Sequence, residues 1–88
     1  MKVAFNESFL KDLKTVKPIS VLTKVKAAIE SCEQADRLES IPHIKKMRGT
    51  RDYFRIRIGD FRIGIKLEVD TLIFIRCLNR KEIYRFFP

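Results

Sequence analysis

Eighty-eight residues allow one domain, 1–88, and leave no room for a second. With 45% hydrophobic residues and seven Phe the chain can build a core, which excludes a disordered segment. Nineteen Lys and Arg against eleven Asp and Glu give a net charge of +8, which either serves solubility alone or suits a polyanion: nucleic acid, an anionic membrane or an acidic protein.

Lys2 to Phe5 reads as a short opening strand. Asn6 follows as a helix N-cap, with Phe5 and Leu10 spaced as a hydrophobic staple. Phe9, Leu10, Leu13 and Val16 then recur at helical spacing, so a short amphipathic helix is expected. Lys17-Pro18 breaks it, and Pro18 suits the first turn of a second helix. That helix carries Val21, Leu22, Val25, Ala28, Ile29 and Cys32 along one face.

Between about Gln34 and Thr50 neither helical nor strand period persists, and Pro42 and Gly49 punctuate the stretch. An irregular segment of that length in so small a domain is often functional. Tyr53 to Ile58 alternates, Gly59-Asp60 signals a two-residue hairpin, and Phe61 to Leu67 alternates again. Val69-Asp70 is a second turn without glycine, and Thr71 to Leu78 is almost continuously apolar, as in a strand covered on both faces. Asn79-Arg80-Lys81-Glu82 resembles a capping box opening a short terminal helix. The expected class is α+β: an N-terminal strand, a two-helix hairpin, a three-stranded antiparallel meander in one small sheet, and a short C-terminal helix.

Cys32 and Cys77 lack metal-ligand spacing and read as buried apolar residues in a reducing compartment. The N-terminal segment has no signal-peptide core and no apolar run approaches a membrane span, so a cytoplasmic protein without membrane contact is expected.

Strand alternation makes the sharpest functional statement. If Phe54, Ile56, Ile58, Phe61, Ile63, Ile65 and Leu67 face the helices, then Arg55, Arg57, Arg62 and Lys66 share the opposite face. Like charges across a ladder oppose folding slightly, and an anion bound there would relieve them. Guanidinium groups suit bidentate phosphate contacts. The bland alternative is a solvated outer face. A second cluster, Arg76, Arg80, Lys81, Tyr84 and Arg85, is offset only by Glu82. Tyr84, one helical turn after Arg80, could stack on a splayed base or could simply pack its ring. His43, the single histidine, reads as a surface loop residue. Glu7, Asp12, Glu30 and Glu33 read as solvated helix face. No cofactor motif and no metal cluster appears.

The segments Arg48-Gly49, Tyr53 to Ile63 and Asn79 to Tyr84, with the order of elements, resemble the RelE/ParE superfamily of microbial toxins, and the RelE branch most. The resemblance covers the chain and implies a type II toxin. Such a toxin would be a metal-independent endoribonuclease that cuts messenger RNA in the ribosomal A site, held inactive by a cognate acidic RelB-like antitoxin. Its partners would be ribosome and messenger, with operator DNA reached only through the antitoxin complex. By position the resemblance assigns Arg55, Arg57, Arg62, Arg80 and Tyr84 to catalysis. RNA or ribosome contacts fall to Lys45, Lys46, Arg48, Arg51, Lys66, Arg76, Lys81 and Arg85. Relatives with lysines at positions 55 and 57 could use one as a base, whereas arginine cannot shed its proton. Relatives often carry histidine where this chain has Asn79, so proton transfer stays open among Tyr84, Lys66, Lys81 and a ribosomal group. Two alternatives remain: a ParE-like gyrase inhibitor of the same fold, and a non-catalytic RNA-binding module.

Overall fold

A computed structural model describes residues 1–88. In chain order the elements are β1 (Lys2–Phe5), α1 (Glu7–Thr15), α2 (Ile19–Gln34), a single 3-10 turn (Leu38–Ser40), β2 (Ile44–Lys46), β3 (Tyr53–Ile58), β4 (Phe61–Glu68), β5 (Thr71–Asn79) and α3 (Ile83–Phe86). The α+β class and the central meander agree with the sequence reading, but the sheet has five strands, ordered β1-β5-β4-β3-β2. Strand β1 runs parallel to β5, and every other pairing is antiparallel.

The unexpected strand is β2, inside the stretch read as irregular. It is three residues long and lies at the sheet edge, and its Lys45-Lys46 pair hides any apolar alternation. Lysines on a short edge strand also discourage pairing with other chains.

Helices α1 and α2 cover one face of the sheet. Phe9, Val25 and Cys32 from the helices meet Ile56, Ile63, Ile65, Leu72, Phe74 and Cys77 from the strands in one core. Phe5 and Leu10 do not form the expected staple: Phe5 packs on Phe9 and Phe74, with ring centroids 5.9 and 5.4 Å apart, and Leu10 is exposed. The Asn6 carbonyl starts α1, while its side chain makes no capping bond. Pro18 stands just before α2 rather than within its first turn. Burial pushes the thiols of Cys32 and Cys77 up to about 11, so both stay protonated at neutral pH.

Strand β1 pairs with β5 only from Thr71 to Phe74, and α1 takes over the exposed β5 edge from there. The Asn6 N–H donates to the Phe74 carbonyl (2.9 Å), Ser8 Oγ donates to the Ile75 carbonyl (2.6 Å), and the Cys77 N–H donates to Asp12 Oδ2 (2.9 Å). Ser8 and Asp12 stand four residues apart on one helix face, which is how both reach the same strand. Asp12 also takes two bonds from the Arg76 guanidinium, at 2.7 and 3.1 Å. It is therefore an edge-sealing residue and not, as its helical setting suggested, a solvated one.

The other sheet face is not open along its whole length. Met47, Ile83 and Phe87 form a second, smaller core there, with Tyr53, Ile75 and Leu78 packed against it. A Cβ on Gly64 would lie 2.7 Å from the Phe87 ring, so the absent side chain at 64 is what lets the C-terminal segment fold back over the sheet. The expected capping box does not form. Asn79 ends β5, its side-chain oxygen accepts the Lys81 N–H (3.0 Å), and Glu82 is the residue that precedes α3. Arg80 thus sits in a turn before the helix and not one helical turn below Tyr84.

Candidate functional site

The two-residue turn Gly59-Asp60 organises the site. It closes β3 onto β4 with Ile58 opposite Phe61, and Gly59 takes a left-handed φ of 55°, which glycine adopts freely. The register then puts Arg57 directly opposite Arg62 and Arg55 opposite Gly64, with Cα atoms roughly 4.5–5.5 Å apart across each pair. By strand alternation all three arginines belong to the face away from the main core, Arg57 and Arg62 at the hairpin end and Arg55 opposite Gly64, which the Phe87 ring covers.

The same turn positions two guanidiniums. Arg62 Nη1 donates to the Gly59 carbonyl (2.8 Å) and to the Phe61 carbonyl (2.9 Å), which folds the side chain back over its own hairpin. The Arg80 N–H donates to the Asp60 carbonyl (2.7 Å), which fixes the end of β5 against the turn. Arg55 Nη1 reaches the His43 carbonyl at 3.4 Å, and its buried Nε has no hydrogen-bond partner in the chain.

The electrostatics of Arg62 identify its neighbours. Burial, then Arg55, and after them Arg57 and Arg80, lower the pKa of its guanidinium below the usual arginine range, while Tyr84 acts in the opposite sense. Arg55, Arg57, Arg80 and Tyr84 are therefore gathered around Arg62. None of the four arginines has a carboxylate within 4.0 Å, whereas Arg37, Arg76 and Arg85 are paired with Glu39, Asp12 and Glu82. Tyr84 is 64% exposed and presents its ring to solvent beside this cluster.

A pocket of about 700 Å³ opens between α2 and the hairpin. Its polar wall includes Arg57, Arg62, Arg80, Asp60, Lys24 and His43, and its apolar floor includes Ala28, Ile41 and Ile56. Lys24 and His43 were not singled out as site residues from sequence. Nothing in a helical lysine announces such a place, and His43 reaches it only because the β2 strand exists.

The remaining basic residues divide. Lys45 stands opposite Arg55 on β3, and Lys46, Arg48, Arg51 and Lys81 are exposed, all five without a carboxylate partner. Lys66 is held by Glu68 at 3.0 Å, and that hydrogen bond, followed by the charge of Glu68, raises its pKa. A raised pKa is the reverse of what a lysine base needs. Arg76 is committed to Asp12, and the guanidiniums of Arg76 and Arg85 both approach the Phe86 ring, 5.9 and 5.6 Å from its centroid. No three His, Cys, Asp or Glu side chains come together in a way that could hold a metal ion, and no helix is long and apolar enough to cross a membrane.

Comparison with known proteins places the chain as a whole. The family model for the ParE toxin of the type II toxin–antitoxin system parDE matches residues 3–84. Toxin RelE3 of Methanocaldococcus jannaschii is 46% identical over 89 residues, covering 100% of both chains. Among solved structures, the RelB–RelE antitoxin–toxin complex from Methanococcus jannaschii superposes with a TM-score of 0.82 at 44% identity, over 97% of this chain and 99% of that one. The YoeB dimer from Staphylococcus aureus superposes at 0.74 with 17% identity, over 91% of this chain and 97% of that one, a likeness of fold.

Proposed function

Because this chain belongs to the RelE branch of the RelE/ParE superfamily of type II toxins, we propose that it is an endoribonuclease that cuts messenger RNA in the ribosomal A site. The observation that carries the proposal is the placing of Arg57 opposite Arg62, with Arg55 and Arg80 near them and no carboxylate within 4.0 Å of any of the four. Elsewhere the chain does pair arginines with carboxylates, as Arg37, Arg76 and Arg85 show.

The chemistry follows from the charges. A 2′-hydroxyl attacks the adjacent phosphate, the P–O5′ bond breaks, and the products are a 2′,3′-cyclic phosphate and a 5′-hydroxyl. Negative charge builds on the phosphoryl oxygens in the transition state, and donors already in place stabilise it without reorganisation. Arg62 and Arg57 are assigned to those oxygens, and Arg55 and Arg80 to the flanking backbone or the leaving oxygen. This reaction draws its electrostatic stabilisation from guanidiniums and uses no metal. Lys45, Lys46, Arg48, Arg51 and Lys81 would add contacts to the RNA or ribosomal backbone. As RelE is held with a RelB antitoxin in the M. jannaschii complex, so an acidic RelB-like antitoxin would neutralise this toxin through its basic surface. DNA would be met only through that complex.

Tyr84 is assigned to stacking on an unstacked base. Tyr84→Ala should slow cleavage by roughly 10- to 100-fold, the equivalent of about 1–3 kcal/mol of stacking, while Tyr84→Phe should keep most of the rate. If Phe falls as far as Ala, the hydroxyl itself takes part in proton transfer.

The function is tested by adding purified protein to translating ribosomes. Messenger cut within the A-site codon supports the proposal. Intact messenger together with trapped gyrase–DNA complexes would instead indicate the ParE type of action, and RNA binding without cleavage would indicate a binding module.

A further inference from the structure

Arginine cannot exchange a proton under ordinary conditions, so a site walled by guanidiniums still needs a group that takes the proton of the attacking hydroxyl. The two thiols lie in the buried core, and Lys66 is tied to Glu68. Three other residues with titratable side chains line the pocket: Lys24, Asp60 and His43. A lysine ordinarily holds its proton at neutral pH and an aspartate is a weak base, whereas imidazole is matched to the task.

His43 is also placed by the site itself. Its carbonyl accepts the Arg57 N–H at 3.2 Å and Arg55 Nη1 at 3.4 Å, which extends the β2–β3 ladder by one residue beyond Ile44 and Ile56. His43, Arg57 and Arg62 therefore stand side by side in one row across three chain segments. Its backbone is left-handed, with φ at 63°, a conformation that costs a non-glycine residue roughly 1–2 kcal/mol. The fold keeps a strained histidine on the pocket wall where glycine would sit without strain.

We infer that His43 is the proton acceptor of the cleavage reaction, its imidazole facing the attacking 2′-hydroxyl in the pocket shared with Arg57, Arg62 and Arg80. The inference rests on the nuclease reading above. As the 2′-oxygen bonds to phosphorus its proton passes to the imidazole. The P–O5′ bond breaks, and the 5′-oxygen keeps the electron pair and takes a proton from water. The imidazolium then returns its proton to the hydroxide so formed. The strand becomes a cyclic phosphate and a 5′-hydroxyl with no proton gained or lost.

The test is single-turnover cleavage of messenger on ribosomes by three proteins: wild type, His43→Asn and His43→Gly. Asn and Gly both tolerate the left-handed backbone and leave the carbonyl bonds in place. Both variants should melt no lower than the wild type and co-sediment with ribosomes equally, yet cleave roughly 100- to 10,000-fold more slowly. Added imidazole should restore part of the rate of His43→Gly. Cleavage by His43→Asn at the wild-type rate would overturn the inference, as would a loss in His43→Gly that imidazole does not relieve. If the wild-type protein itself leaves messenger intact, the nuclease reading fails. Cutting by wild type and variant alike removes only the role of His43.

Discussion

Arg62→Ala is expected to slow messenger cleavage by about a hundred- to a thousandfold, the typical loss when one preorganised donor to a developing oxyanion is removed. Arg62 is the hub of the cluster. It stands opposite Arg57, its guanidinium is anchored on the Gly59 and Phe61 carbonyls, and Arg55, Arg57, Arg80 and Tyr84 all act on its charge. The same geometry predicts that the variant stays folded. Deleting one of several clustered cations relieves repulsion, and the two carbonyls it leaves are at the rim, where water can replace the bonds. A melting point equal to or slightly above that of the wild type should therefore accompany the lost activity. Arg62→Lys should remain impaired, because an ammonium supplies the charge but not a planar guanidinium that can hold both carbonyls through Nη1 and still offer its other N–H groups to a phosphate. Activity is read by single-turnover cleavage and stability by thermal melting. A variant that cuts at the wild-type rate would remove Arg62 from the reaction.

The second large effect concerns stability. Asp12→Ala should destabilise the fold by about 2–4 kcal/mol. Breaking a buried ion pair from one side costs roughly 3–5 kcal/mol, and this pair, with Asp12 13% and Arg76 27% exposed, merits somewhat less. The loss has two parts: Arg76 is left without its carboxylate, and the Cys77 N–H is left without an acceptor on a strand whose neighbour has ended. Arg76→Ala is the internal control. It should cost less, since Asp12 would still accept from Cys77. Denaturant unfolding checks this, through a lower midpoint at unchanged slope. Equal losses for the two variants would mean that the ion pair, and not the strand edge, is what Asp12 supports.

The two predictions mark where sequence reading works and where it stops. The arginine face was legible because a strand has a strict period of two: once Ile56 and Ile58 are assigned to the core, Arg55 and Arg57 have only one other face to occupy. The Gly59-Asp60 turn then pins the register, and with it the Arg57–Arg62 pair. Asp12 was misread because helical spacing reports a face but not what lies against it, and its partner stands 64 residues away. Strand β2 was missed because three residues at an edge carry almost no periodic signal. His43 depends on that strand for its position, so its place in the pocket was hidden with it. The C-terminal segment misled for a related reason. Asn79 has a helix-capping residue type, yet pairing with Phe61 draws it into β5, and Phe87 crosses back to the one glycine that β4 offers. Val69 shows the same override by register: a two-residue turn between Glu68 and Thr71 forces it to a φ of 55°, although nothing in a valine favours that.

The central claim is that a wall of unpaired guanidiniums promotes attack of a 2′-hydroxyl on its neighbouring phosphate. The most direct measurement compares two ribosome-bound messengers that differ by a single 2′-deoxy substitution at the cut site, with the fragment ends identified by mass spectrometry. The ribose form should be cut to a 2′,3′-cyclic phosphate and a 5′-hydroxyl, and the deoxy form should stay intact. Equal cleavage of both, or ends bearing a 5′-phosphate and a 3′-hydroxyl, would contradict the account, because water and not the strand would then be the nucleophile.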